Sequence, residues 1–510
     1  MASERPEDGH RSEKEGPAIS SGPEPAQHST IAGKPWMYKP LKLGPLTLPW
    51  FASPETQLIL VSFVCFLCPG MFNALSGLGG GGQVDQTVAS NANTALYSTF
   101  AVVGFLAGSI ANRIGLQLTL SFGGFGYFLY AASLLSYNHN KNAAFVIFAG
   151  ALLGVCAGLL WCAQGAVMMS YPREHEKGKF IGIFWVIFNL GGVIGSLIPL
   201  AQNMHSNAGT VNDGTYIAFM VLMALGFVLA CFLSDSKYVV RKDGSHVISM
   251  KNPTWKSELV GLYETLRTDY YIVLFFPMFL ASNWFYGYHF NTVNGAYFNI
   301  RTRSLNSLLY WLMQMVGAFV FGQLLDLKFL SRPMRAKLNW ALLLIITMAV
   351  WGGGYAFQKQ YTRATAKQNV DFTSHGYIGP MFLYMFYGFY DAAFQTCAYW
   401  YMGSLSNNGR KLANFAGFYK GIQSAGGAGM WRMDATKTPY MTEFASCWGL
   451  LAGSLLIASP IIFFKIKEHV DVEEDLKFSD ETAEDVNAVA IEDRRDSTKG
   501  ETVEKQVSSA

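Results

Sequence analysis

The chain has 510 residues; 51% are hydrophobic, only 14% are charged, and the formal net charge is +3. A soluble domain carries about 25% charged residues, so this composition excludes an ordinary soluble fold. The apolar residues gather in blocks of roughly 20, enough for a helix to cross a hydrocarbon core of about 30 Å and too uniformly apolar for barrel strands.

In chain order, residues 1–33 are polar and rich in Pro, Gly, Ser and charge, and residues 1–50 are expected to form a disordered cytosolic tail. No signal peptide is visible, so the first span is expected to act as its own insertion signal. Apolar blocks predict spans near 57–75, 93–111, 117–137, 144–169, 180–201 and 215–234. The residues from 51 to 235 then form an N-terminal six-helix bundle. A linker over 236–270 follows, in which Asn252 and Pro253 read as a helix start. Trp255, Leu259, Leu262, Leu266 and Tyr270 follow at helical spacing, which predicts an amphipathic helix on the inner membrane face. Blocks near 271–290, 305–325, 338–357, 377–402, 413–431 and 443–464 predict a second six-helix bundle over 271–465. The eleventh is Gly-rich and weakly apolar. Residues 466–510 hold 14 acidic and 6 basic residues, which reads as an acidic, disordered cytosolic tail.

Lys and Arg in the loops set orientation. With the N-terminus in the cytosol, the inner loops carry Arg113, Arg173, Lys177, Lys179, Lys328, Arg332, Arg335, Lys337, Arg410 and Lys411, and the central segment adds six more. Arg301, Arg303, Lys359, Arg363 and Lys367 would lie outside and fit less well, but both termini inside remains the better solution. This basic character follows from topology, and no nucleic-acid partner is expected. The seven cysteines all fall in apolar blocks. Cys65 and Cys68 form a C-x-x-C within one span, and buried reduced thiols are the expected state. No Ser-His-Asp or metal-ligand grouping emerges, and the residues imply no enzyme, cofactor or metal site.

Two stretches recur in the two halves. GSIANRIG from Gly108 ends the second span, and GQLLD from Gly322 ends the eighth. GIFWVIFNLGG from Gly182 lies in the fifth span, and GFYKGIQSAGG from Gly417 in the eleventh. A duplicated six-span unit explains both pairs. The GLGGGGQVDQ run after the first span lacks the Gly-Lys-Ser/Thr of a phosphate loop and reads as a turn that lets backbones approach closely. Pro69-Gly70 before it should bend that span.

GSIANRIG resembles the loop signature G-x-L-A-D-R-x-G-R of the major facilitator superfamily at Gly108, Arg113 and Gly115. It departs at Asn112, where that family usually has Asp, and at Leu116, often a basic position. The resemblance implies a conformational latch involving Gly108, Asn112, Arg113 and Gly115, with Gly322 and Asp326 as the second-half counterpart. CPGMFNALSGLGGGGQ from Cys68 and YWYMGSLSNNGRKLANFAGFYKGIQSAGGAGMWRMDA from Tyr399 are similar to the uncoordinated-ninety-three-like branch of the same superfamily. That resemblance implies an all-α membrane protein of twelve transmembrane helices in two pseudo-symmetric six-helix bundles. Some animal members regulate potassium channels or escort receptors.

Polar side chains inside spans are functional candidates. In the implied fold the first, fourth, seventh and tenth helices line the cavity. They carry Asn73, Gln164, Asn283, His289, Asp391 and Gln395. Asn189, Gln314, Lys420 and Gln423 lie on the fifth, eighth and eleventh. Each lone amide has a plainer reading as glue between helices. Asp391 and Lys420 are expected to neutralise each other; the plainer reading is a structural ion pair, or Lys420 reaching to the inner surface, and the functional one is a protonatable Asp391 coupled to substrate or proton movement. The leading expectation is a secondary transporter of a small solute or ion by alternating access. The alternative is a non-transporting regulator or chaperone of a membrane-protein partner on the same fold.

Overall fold

The computed structural model describes residues 34–468 apart from 44–45, 84–85, 173–176, 205–210, 243, 245–246, 248–254, 328, 368 and 407–408. The first helix, α1 (Pro54–Gly77), starts where Ser53 accepts a hydrogen bond from Thr56 N at 3.2 Å and Pro54 takes the first helical position. Its 24 residues span about 36 Å at 1.5 Å per residue. Helices α2 (Thr87–Gly104), α3 (Ala107–Asn140), α4 (Ala143–Ser170), α5 (Lys177–Asn203) and α6 (Asp213–Ala230) follow. Next come α7 (Trp255–Thr268) and α8 (Phe276–Gly287), then α9 (Ile300–Leu325), α10 (Arg332–Gln358), α11 (Ile378–Gly403), α12 (Gly409–Ala435) and α13 (Tyr440–Phe464). Asn142, Asn212 and Asn299 cap α4, α6 and α9 through their side-chain oxygens.

Among the described residues, eight helices are long and apolar enough to cross a membrane: those within α1, α3, α4, α5, α6, α9, α10 and α13. Helix α8 is too short, with 12 residues before its π turn, and α2, α11 and α12 are less apolar, α2 through Asn, Ser and Thr, α11 through Gly, Tyr and Asp391, and α12 through Gly, Lys and Arg. The buried apolar side chains form two clusters. One runs from Leu58 to Val247 and includes Ile300, and the other runs from Ile272 to Ile466.

The recurring glycines hold equivalent places. A Cβ on Gly191 of α5 would meet Phe66 O of α1 at 2.6 Å, and one on Gly426 of α12 would meet Leu280 O of α8 at 2.2 Å. The next glycine of each pair faces an aromatic ring from the opposite half, Trp311 on α9 for Gly192 and Tyr97 on α2 for Gly427. The repeat seen in the sequence is therefore a repeat of close helix approaches. The weakly apolar eleventh block is a continuous helix because its bare glycines let neighbours in.

The first helix of each half contains a π-helical turn, Phe66–Gly70 within α1 and Tyr288–Gly295 directly after α8. Pro69 lies in the first, where the missing N–H interrupts the helical ladder. The expected bend at Pro69-Gly70 takes this form.

Residues 35–50, expected to belong to a disordered tail, instead include a 3₁₀ turn (Pro35–Tyr38) and a hairpin of β1 (Pro40–Leu43) and β2 (Leu46–Trp50). Their hydrogen bonds explain the order. Ala52 N donates to Met37 O, Val240 N donates to Ala52 O, and Tyr38 Oη donates to Tyr238 O at 3.0 Å. The linker helix begins at Trp255. Its Thr265 is buried, while Val260 and Tyr263 are exposed. Asn252 and Pro253 lie outside the described residues, as do residues 1–33 and 469–510. All seven cysteines are free thiols, five of them fully buried; Cys231, at the end of α6, is exposed.

Candidate functional site

The centre of the second half holds a continuous polar network. Asp391 on α11 is wholly buried, and both its oxygens accept hydrogen bonds. Oδ2 accepts from Tyr310 Oη at 2.9 Å and Gln314 Nε2 at 2.7 Å, both on α9. Oδ1 accepts from Gln395 Nε2 at 2.7 Å and more weakly from Tyr286 Oη at 3.4 Å. Positions 391 and 395 are one helical turn apart, so the side chains share a face. A carboxylate is an acceptor-only group that can satisfy about four donors, and Asp391 has four.

The network continues toward α12. Gln423 Nε2 donates to Gln395 Oε1 and to Tyr419 Oη, each at 3.1 Å, and Lys420 Nζ donates to Gln423 Oε1 at 3.1 Å. At its other end His289 Nδ1 lies 3.3 Å from Tyr310 Oη. Of the ten cavity candidates, His289, Gln314, Asp391, Gln395, Lys420 and Gln423 are joined in this way.

The expected direct neutralisation of Asp391 by Lys420 does not occur, and no ion pair joins them among the described residues. Lys420 instead sits among three rings, with Nζ 5.8 Å from Trp161, 5.6 Å from Tyr399 and 5.4 Å from Tyr419. Trp161 belongs to α4, so this cation–π contact crosses between the two halves. Sequence spacing placed both charges on neighbouring helices but could not fix the rotation of α12, which aims Lys420 away from Asp391.

The remaining four candidates stay apart from the network. Gln164 is buried and donates from Nε2 to Met168 Sδ at 3.3 Å, one turn along its own helix. Asn73 is half-buried, Asn189 and Asn283 are buried, and none of the three hydrogen-bonds to a described residue. Among the latch residues, Arg113, Gly115 and Asp326 are exposed, and Gly108 and Gly322 half-buried. Gly115 has φ +83 and kinks α3. A Cβ on Gly322 would meet nothing within 4 Å. The side chain of Asn112 lies outside the described residues.

A second polar cluster escaped the sequence reading. It lies at the distal face, meaning the face away from Pro54 and Phe464. Arg303 is wholly buried at the start of α9 and donates to Leu78 O and Gly79 O, each at 2.6 Å. Asn294 donates to Gly77 O at 2.8 Å. Asn291 accepts from Gly80 N at 2.7 Å and donates to Asp434 Oδ2 at 2.6 Å, the oxygen that also accepts from Ser90 Oγ of α2. These bonds tie the glycine run and α2 to the second half. Glycines 79 to 82 all have positive φ, a conformation that suits only glycine over four successive residues.

Behind this seal, Arg363 contacts Asp434 at 2.7 Å and the wholly buried Glu443 at 2.5 Å. Partial burial works against the Arg363 charge, but Glu443 and Asp434 outweigh it and raise its pKa. Nearby, Arg301 pairs with Asp371. Burial alone would raise the Asp371 pKa; hydrogen bonds from Arg301, Thr373, Asn299 and Thr302 overcome it and hold the carboxyl below its usual range. A signal for this cluster was present in the sequence: Arg301, Arg303 and Arg363 were three of the five basic residues that fitted the topology rule poorly.

These features define a helical membrane protein of transporter-type architecture, with a buried polar core in one half and a polar seal between halves. A sequence model described as Major Facilitator Superfamily matches residues 4–196 and 58–430. An UNC93-like protein of Schizosaccharomyces pombe is 56% identical over 436 residues, covering 85% of this chain and 86% of its own length. UNC93-like protein 1 of Arabidopsis thaliana is 46% identical over 425 residues, covering 82% and 92%. A partially occluded, inward-open xylose transporter from E. coli is similar in structure with a TM-score of 0.58, covering 82% of this chain and 100% of that chain. At 12% sequence identity, that likeness shows the fold alone. The chain belongs to the major facilitator superfamily, in its UNC93-like branch.

Proposed function

We propose that this protein is a membrane regulator or escort of a partner membrane protein, built on a transporter fold that retains two conformational states. The observation that carries this reading is the saturation of the central site. Asp391 already accepts from four donors of its own half, and Lys420 is already held among three rings. The Asp391 carboxylate has no open position for a solute. The relatives at 56% and 46% identity are named UNC93-like rather than for a solute. Fold alone does not fix activity.

In this reading α2, α8 with its π turn, α11 and α12 also cross the membrane, giving twelve spans in bundles over 51–235 and 271–465. Their polarity follows from facing the centre. The termini are cytosolic, the linker helix lies on the inner membrane face, and the distal seal faces outward. Arg301, Arg303 and Arg363 then lie on the outer side for structural reasons rather than as topology signals. The exposure of Arg113 and Asp326 fits a state with the inner latch released and the outer side shut.

A second reading, alternating-access carriage of a small solute or ion, is favoured by Asn73, Asn189 and Asn283. Their amides hydrogen-bond to no described residue, as groups lining a substrate path would. Reconstitution of the full chain in proteoliposomes separates the two. The regulator reading expects no gradient-dependent flux together with loss of a partner's surface level when the chain is deleted. Saturable uptake without any effect on a partner supports the carrier.

A further inference from the structure

Helix α10 starts against its own electrostatics. A helix N-terminus carries partial positive charge and favours an acid in its first turn, and α1, α6 and α13 each have one there, Glu55, Asp213 and Glu443. Helix α10 has none. Arg332, Arg335 and Lys337 stand within its first six residues instead, and Ser331 at its N-cap makes no side-chain cap bond. Arg332 N is met from outside the helix, donating to Glu468 Oε2 at 2.7 Å. Glu468 lies just past the end of α13, so the outgoing chain supplies an anion that α10 lacks.

This end of α10 belongs to a larger cationic surface on the near face, the one holding Pro54 and Phe464. Lys465 is exposed at the end of α13, its Nζ 5.1 Å from the Tyr271 ring, and Lys337 Nζ lies 5.7 Å from the Phe463 ring. Arg332 Nη2 reaches Gly403 O at 3.5 Å, and Arg335 Nη1 donates to Leu325 O at 2.9 Å. Among the described residues none of these four side chains forms an ion pair. Asp326, exposed at the end of α9, offsets one of the charges. Beside them Phe329 is 80% exposed and Met334 52%, so apolar surface is open on the same side.

The sequence past Glu468 has the opposite character. Residues 469–510 hold 13 acids and 5 bases, and residues 471–485 alone hold eight acids against Lys477, with Leu476 and Phe478 among them. We propose that residues 471–485 dock on the cationic surface formed by the start of α10 and the end of α13 of their own chain. The bond from Arg332 N to Glu468 is the first contact of that docking. At no more than about 3.6 Å per residue, residues 471–475 stay within about 25 Å of it. So short a tether keeps the local concentration of carboxylates high and costs little loop entropy. Exposed ion pairs are weak one at a time; several of them on one tether hold the segment, with Leu476 and Phe478 meeting the open apolar surface.

The docked segment covers the near face of the second half. An anionic partner segment or lipid headgroup that reaches for Arg332, Arg335, Lys337 and Lys465 must displace it first, so the chain carries its own competitor for that face. The contact stands whether or not the protein escorts a partner. Salt, which screens exposed charges, loosens it.

The test uses the full-length Cys231→Ser protein, one copy per nanodisc of neutral lipid, with a nitroxide label on Ser479→Cys. Single copies exclude exchange of segments between two chains, and neutral lipid leaves the cations free of anionic headgroups. At about 0.01 M ionic strength a slow-tumbling component should dominate the spectrum. At about 1 M, where the screening length has fallen from about 30 Å to about 3 Å, that component should be lost. Lys337→Gln together with Lys465→Gln should lose it already at low salt. Neither lysine holds a side-chain hydrogen bond among the described residues, so the fold does not depend on them. Lys337→Glu with Lys465→Glu should also lose it, and adding Glu473→Lys and Glu474→Lys should bring it back. A fast label at low salt in the parent protein would overturn the proposal. So would a slow component indifferent to salt or to the two lysines, or a charge-swapped protein whose label stays fast.

Discussion

Asp391 and Lys420, opposite charges on neighbouring helices, do not touch; Gln395 and Gln423 stand between them in an unbroken chain of hydrogen bonds. Asp391 is satisfied locally by hydroxyl and amide donors, while Lys420 donates to Gln423 and lies beside three aromatic faces. A direct pair would tolerate removal of both partners, whereas this arrangement makes the two positions separable.

Replacing Asp391 with Leu should therefore leave Tyr286, Tyr310, Gln314 and Gln395 without their acceptor. Each buried donor left unsatisfied costs about 1–3 kcal/mol, so the variant should lose much of its thermal stability. Asp391→Asn should lose less, since it keeps an acceptor oxygen. A Lys420→Met change added to Asp391→Leu should not rescue it, as it would if the two were an ion pair. Thermal unfolding of the purified variants in detergent checks the order.

The glycines offer a contrast within one helix class. Gly426→Ala would push a Cβ to 2.2 Å from Leu280 O, and overpacking of this kind costs about 1–3 kcal/mol. Gly322→Ala meets nothing within 4 Å and should change stability by less than about 0.5 kcal/mol. Equal melting temperatures for the two variants would contradict the close approach of α12 and α8.

At the distal seal, Arg303→Ala removes two charge-assisted hydrogen bonds to Leu78 and Gly79 carbonyls. Hydrogen bonds to charged groups contribute about 1.5–3 kcal/mol each. Labelling of a Ser307→Cys thiol by a membrane-impermeant maleimide should accelerate about tenfold or more. Arg303→Lys should fall between, because an ammonium lacks the planar fork that reaches both carbonyls.

The loop clamp between Arg301 and Asp371 has a defined pH dependence. Its folded-state carboxyl titrates below the ordinary value of 3.8. A depressed carboxyl stabilises the fold above its unfolded pKa and loses that contribution as pH falls through the folded one. Hydrogen-exchange protection of residues 369–377 should thus be the same at neutral pH and near pH 5, and should fall only below about pH 4. Asp371→Asn should lower that protection at neutral pH and flatten the acid-dependent part.

Much of this molecule was legible from residue order. Apolar block length located the eight helices long and apolar enough to cross a membrane, and Gly191-Gly192 and Gly426-Gly427 marked two matching close approaches because bare glycine surfaces recur where helices touch. Asp391, Gln395, Gln314, Gln423 and His289 stood out as polar groups in apolar segments. Tyr286, Tyr310 and Tyr419 did not, since a tyrosine ring counts as apolar while its hydroxyl does the bonding. Arg303, Asn291, Asn294 and Glu443 were hidden for another reason: near helix ends, polar residues read as solvated, and nothing in local sequence shows that the opposite half covers them. The π turn at Tyr288–Gly295 has no proline to announce it. Helix rotation, which aimed Lys420 at Trp161, is a property of packing and not of spacing.

The most direct test of a regulator or escort with a self-satisfied core is flux. The full chain, purified and reconstituted in proteoliposomes, is assayed against a panel of small ions and metabolites under imposed proton and potential gradients. Uptake indistinguishable from protein-free vesicles, with the distal seal still able to change state, is the predicted result. Saturable, gradient-dependent uptake that Asp391→Asn abolishes would contradict it.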